Sequence, residues 1–178
     1  MKTKHLTLLA MYTTIALTIF VVESALPPLL PIPGVKLGLA NIVTLWLLLC
    51  SDWKDALWVL ILRIVLGSIF AGQVLSFAYS LSGGLLCLAA MAILHHFLGK
   101  KQIVLTSILG AVFHNIGQLL MAFFILQSLS IISYLPVLFI SGIAAGTFTG
   151  LCAKYTYKRM GRLMHFKSDS NRKNDVIS

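Results

Sequence analysis

The sequence predicts an all-α, polytopic membrane protein of six transmembrane helices. Three observations predict it. Of its 178 residues, 58% are hydrophobic and 11% are charged, and the mean hydropathy is +0.94. A soluble domain of this size could not hide that much apolar surface. The apolar residues fall in long runs, and a hydrocarbon core of about 30 Å takes roughly 20 mostly apolar residues per helix. The basic residues sit at the ends of those runs and in the last 25 residues, as topology signals do. That distribution, with Asp169 and Asp175 interspersed in the tail, speaks against nucleic-acid binding despite a net charge of +9.

The first helix covers residues 6–22. Lys2 and Lys4 precede an apolar run that a signal peptide would also show. Glu23 stands where cleavage would fall and further apolar spans follow, so the run reads as a retained helix. Ala10, Thr14 and Thr18 form a small-residue stripe, which lets helices approach closely in lipid. The stripe packs either within the fold or against a partner's helices. A loop with Pro27, Pro28, Pro31 and Pro33 follows. Proline fixes φ and lacks an N–H, so this is not continuous helix. The loop is apolar, and is either a lid over a cavity or an interfacial connector.

The second helix, residues 37–50, is short for a span and carries Asn41 about one turn inside. In the turn Ser51-Asp52-Trp53-Lys54-Asp55, both aspartates suit the start of a helix, where the dipole is positive. The third helix, residues 56–71, carries Arg63 near its centre. A charge there costs about 2.5–3.5 kcal/mol on insertion scales, so Arg63 must face a partner, a cavity or a ligand. The fourth helix, residues 74–98, contains Ser82-Gly83-Gly84, which permits close packing or a local break.

Lys100 and Lys101 mark a turn, and the fifth helix covers residues 103–126. His114 and Gln118 are four apart and share a face, with Asn115 beside them. Three polar side chains in mid-span face inward, either as interhelical hydrogen bonds or as ligand contacts. The sixth helix, residues 135–153, carries Gly142, Gly146 and Gly150 at intervals of four, a close-packing signal toward a helix of this chain or of another subunit. Residues 156–178 read as a basic, partly disordered cytoplasmic tail.

Twelve Lys and Arg residues fall on one side of this arrangement, Lys36 falls on the other, and Arg63 lies inside. The positive-inside rule then puts both termini in the cytoplasm of a multi-pass plasma-membrane protein. The inward polar set is Lys36, Asn41, Arg63, His114, Asn115 and Gln118, with Glu23 at the rim. Few placed polar groups in an apolar wall are the usual makeup of a small-molecule site. Lys36 and Arg63 favour an anionic or carbonyl-rich ligand, and Glu23 either joins them or neutralises one. Catalysis has little support. There is no G-x-x-x-x-G-K-[ST] phosphate loop, and no His or Cys spacing for a metal. Cys50, Cys87 and Cys152 fit no redox motif. No cofactor is expected.

Four stretches carry a resemblance: Pro33-Gly34-Val35-Lys36-Leu37-Gly38-Leu39-Ala40-Asn41-Ile42-Val43-Thr44-Leu45, Leu62-Arg63-Ile64-Val65-Leu66-Gly67-Ser68, Tyr79-Ser80-Leu81-Ser82-Gly83-Gly84 and His114-Asn115-Ile116-Gly117-Gln118-Leu119. Over about residues 5–155 the chain resembles the family labelled heptaprenyl diphosphate synthase component I, also called the Gx transporter family. That family resembles the substrate-binding S-components of energy-coupling factor (ECF) transporters, six-helix subunits that dock through a small-residue stripe on a T subunit driven by two ATPases. The resemblance implies that Ala10, Thr14 and Thr18 fill that docking role. The enzyme label implies prenyl chain elongation with Mg²⁺ on diphosphate, held by paired D-D-x-x-D motifs. This sequence has none, and Asp52-Trp53-Lys54-Asp55 is the nearest approach. The chain is therefore at most an accessory subunit beside a soluble prenyl diphosphate synthase. An association of the family with quinone and flavin-linked electron transfer implies a quinone- or isoprenoid-like ligand.

Overall fold

The computed structural model describes residues 2–25, 36–72 and 74–177. The Pro-rich loop, residues 26–35, lies outside them. All regular structure among the described residues is helical: α1 (Lys2–Ser24), α2 (Asn41–Cys50), α3 (Trp53–Ala71), α4 (Val74–Leu98), α5 (Ile103–Leu126) and α6 (Leu135–Ile177). Short 3-10 helices at Gly99–Gln102 and Leu129–Tyr134 flank α5.

The expected bounds of α4 and α5 coincide with the observed ones. α2 starts at Asn41 instead of residue 37, because Gly38 takes a left-handed φ of +78° and turns the chain before the helix begins. Among the described residues four helices are long and apolar enough to cross a membrane, within Thr3–Ser24, Val74–Leu98, Ile103–Leu126 and Ser130–Arg159. α2 and α3 are not among them, and α2 is the shorter. Its ten residues reach only about 15 Å at 1.5 Å per residue. It is also not a lipid-facing element, since eight of its ten residues are buried. α2 sits in the middle, touching each of the other five helices. α5 lies between α4 and α6, and α1 packs on α3.

A polar cluster sits within a mostly apolar core, and the exterior is apolar as well. Ile69, Phe70, Val74 and Phe124 are more than 70% exposed, whereas Arg63 and His114 are 2% exposed and Gln118 is 1% exposed. An apolar exterior of this kind is costly in water and is at rest in lipid. Several long apolar helices with this exterior make the chain a membrane-embedded protein.

The Gly142, Gly146 and Gly150 face packs on α5 of the same chain, so the close-packing signal has an internal partner. A Cβ added at Gly146 would lie 2.6 Å from Ile108 Cα and 2.9 Å from Ser107 O. One added at Gly150 would lie 2.9 Å from Val104 Cα. A Ser107–Thr149 hydroxyl contact of 2.9 Å pins the same seam. On α1, by contrast, Ala10, Thr14 and Thr18 are all exposed. The Thr14 and Thr18 hydroxyls donate back to the Ala10 and Thr14 carbonyls, each at 2.9 Å, which leaves a smooth face with no unmet donor. At the other end of the fold from Glu23, His5 Nε2 meets Asp55 Oδ2 at 3.1 Å and ties the start of α1 to the start of α3.

Candidate functional site: a buried polar centre

The centre forms where α2 begins. Glu23, near the end of α1, reaches the incoming chain. Its Oε1 accepts the Gly38 N–H at 2.6 Å and its Oε2 accepts the Leu39 N–H at 3.0 Å. Backbone donors ahead of a helix have no intrahelical acceptor, so a carboxylate borrowed from another helix satisfies them. Asn41, the first residue of α2, then stands beside α3, and Arg63 Nη2 donates to its Oδ1 at 3.2 Å.

His114 approaches from α5 and is seated between two glycines. A Cβ on Gly38 would lie 2.7 Å from His114 Cδ2 and 2.8 Å from Asn41 Nδ2. A Cβ on Gly83 would lie 2.9 Å from His114 Cε1. Gly117 brings the α5 backbone against α4 itself, since its Cβ would fall 2.8 Å from Gly83 Cα, and the Ser82 hydroxyl donates to Gly117 O at 2.7 Å. Gln118, one turn on, places its Nε2 3.0 Å from His114 Nε2. With the amide donating, the imidazole proton sits on Nδ1.

The structure thus gathers Asn41, Arg63, His114 and Gln118, with Glu23 forming one wall. Each of the four keeps one buried polar atom without a hydrogen-bond partner: Asn41 Nδ2, Arg63 Nε, His114 Nδ1 and Gln118 Oε1. An unpartnered buried group costs about 1–3 kcal/mol, so four in one place amount to a large, localised strain. Among the described residues the one ion pair within 4 Å joins His5 and Asp55, so Glu23 does not contact Arg63 directly.

Two of the expected set stand apart. Asn115 turns toward α6, donating to Leu138 O at 2.7 Å and to the Ser141 hydroxyl at 3.4 Å. It lines an apolar cleft with Val112, Ile116, Leu119, Leu135, Leu138 and Phe139. Lys36 is half-buried at the rim, its ammonium 3.4 Å from the centre of the Phe20 ring and hydrogen-bonded to the Ser24 hydroxyl. Burial pushes the Lys36 ammonium down to about 8, opposed by the Glu23 charge, so it still carries its proton at neutral pH.

Gly38 and Gly83 are the members that sequence reasoning missed as parts of this centre. Both lay within quoted motifs, but their role is to make room for a ring carried by another helix. Gly38→Ala is therefore expected to lower the melting temperature of the purified protein and to displace His114. The new Cβ combines a left-handed φ with contact on the ring, for about 1–3 kcal/mol in total. A melt indistinguishable from wild type would show that the turn relaxes freely.

A membrane-embedded, all-helical protein with a buried cationic and amide-lined centre is the class that fold and site define. Residues 12–156 match the family described as heptaprenyl diphosphate synthase component I, and the chain belongs to that family. No curated protein and no solved structure matches it.

Proposed function

We propose that the chain is a membrane-embedded accessory subunit in isoprenoid and isoprenoid-quinone metabolism. It binds a small, partly apolar, anionic molecule and works beside a soluble prenyl diphosphate synthase. The observation that carries the binding role is Arg63, 2% exposed, with its Nε unpartnered among three other unpartnered polar groups. Native proteins rarely leave such a cluster idle, and an intramembrane charge marks a functional site by default. The family supports the partner, since its description is that of one component of such a synthase. The chain's own carboxylates are five and scattered, so elongation chemistry belongs to the partner. The Lys and Arg bias supports a topology with both termini in the cytoplasm, and the membrane proposed is the plasma membrane.

A second reading is favoured by a separate observation. The Ala10, Thr14 and Thr18 face of α1 is exposed and free of unmet hydroxyls. It suits close docking on a partner's helices, as in a substrate-binding subunit of an ECF-type uptake system with a T subunit and ATPases.

The test is a gentle-detergent pull-down of the tagged chain from its native membrane, with mass spectrometry of the proteins and small molecules retained. Recovery of an Asp-rich prenyl synthase supports the first reading. A T subunit with two ATPases replaces it with the second. A chain that emerges without any partner overturns both.

A further inference from the structure

Resting on that binding role, we infer that the head group held at the Arg63 centre is a single-charge, carboxylate-type anion that also carries a hydrogen-bond donor, and not a diphosphate. Outside the Asp52–Asp55 and Lys100–Lys101 turns and the two ends of the chain, the charged residues are Glu23, Lys36 and Arg63. With Glu23 ionised on its two backbone N–H groups, Arg63 in the centre and Lys36 at its rim are two cations against one anion and leave one net positive charge. Uncompensated charge in a low-dielectric interior is expensive, and one negative charge on the ligand cancels it. A diphosphate carries more than one negative charge at neutral pH and would reverse the imbalance.

The unpartnered atoms agree with this count. Arg63 Nε and Asn41 Nδ2 are two donors on two side chains already joined by the Nη2–Oδ1 bond. With the His114 Nδ1–H they make three unpartnered donors, which the lone pairs of one carboxylate can accept, while a diphosphate presents many more acceptors than the centre has donors. Gln118 Oε1 is an unpartnered acceptor, 1% exposed at the residue level, and it calls for an O–H or N–H on the ligand.

The usual anion seat at a helix start is already taken. Phosphates bind where the first N–H groups of a helix converge. Here the Glu23 carboxylate occupies the Gly38 and Leu39 N–H groups at the entry to α2. A diphosphate would have to displace a buried carboxylate. Nor do three or more His, Cys, Asp or Glu side chains converge among the described residues to hold a metal against it. The ligand of this subunit is accordingly distinct from the diphosphate that a prenyl synthase elongates.

The test uses the full chain in lipid nanodiscs at neutral pH with three probes sharing one C15 isoprenoid tail: a 2-hydroxycarboxylate, whose hydroxyl supplies the donor for Gln118 Oε1, the diphosphate and the uncharged alcohol. The carboxylate is expected to bind at least about tenfold more tightly than either of the others, a difference of about 1.4 kcal/mol. Equal or tighter binding of the diphosphate overturns the inference and leaves the binding role standing. Binding of none of the three overturns the binding role for an isoprenoid anion, and the inference with it. Two variants then read the charge count. Lys36→Met removes a cation at the rim and should weaken the carboxylate while leaving the alcohol unchanged. Glu23→Gln adds one net positive charge and should shift the carboxylate-to-diphosphate ratio toward the diphosphate. An unmoved ratio in a folded Glu23→Gln protein, or an unmoved carboxylate affinity in Lys36→Met, overturns the inference.

Discussion

Arg63→Met is expected to insert and purify, to melt modestly below wild type, and to lose its ligand. The two halves of this result have separate causes. Removing one partner of a buried, hydrogen-bonded charge contact costs about 2–5 kcal/mol in binding, or roughly 30-fold to several thousand-fold in affinity. The fold loses the donor to the buried Asn41 Oδ1, a cost of about 1–3 kcal/mol, but no ion-pair partner within 4 Å. Here the guanidinium makes one side-chain hydrogen bond, to Asn41 Oδ1, and no ion pair within 4 Å. Glu23 is not left stranded by the change, because both of its oxygens are held by backbone N–H groups. The measurement is paired: retention of small molecules by mass spectrometry, and the melting temperature in the same detergent. Unchanged retention would remove Arg63 from the site. A collapse of the melt would make Arg63 a structural group, and the polar centre would then be glue.

Much of this arrangement was legible in the sequence, for a reason specific to membranes. A polar side chain in mid-span has few places to go, so Arg63, Asn41, His114 and Gln118 could be sent inward from their positions alone. α4 and α5 were legible because each apolar run is bounded by residues that stop it. What was not legible depends on contacts between helices. The start of α2 is set by the left-handed Gly38 and by a carboxylate arriving from α1. The short length of α2 makes sense only once five helices surround it. The separation of Asn115 from His114 is also tertiary: adjacent positions on α5 point one to α6 and one to Gly38 and Gly83. No local pattern says which of two neighbouring amide or imidazole groups has a partner waiting.

The glycine seam between α5 and α6 yields the second large effect. Gly146→Val is expected to lower the melting temperature steeply or to abolish recovery of folded protein. The obstacle is backbone, not side chain: the first carbon added would stand 2.6 Å from Ile108 Cα and 2.9 Å from Ser107 O. Neither can rotate away, so the helices must separate, and separation stretches the Ser107–Thr149 contact and the Asn115 bond to Leu138 O further along the same seam. Overpacking a fitted interior costs about 1–3 kcal/mol, occasionally more, and a backbone clash with two buried hydrogen bonds lost belongs at or above the top of that range. Gly67→Ala is the control. Its Cβ would meet the Phe20 ring at 2.6 Å, a side chain that can shift, so the loss should be smaller. If Gly146→Val instead kept its melt and lost only an associated subunit, the seam would be an interface between chains and its α5 packing incidental. If the two variants melted alike, side-chain yielding and backbone contact would be equivalent here, and the Gly142, Gly146 and Gly150 spacing would have no structural force.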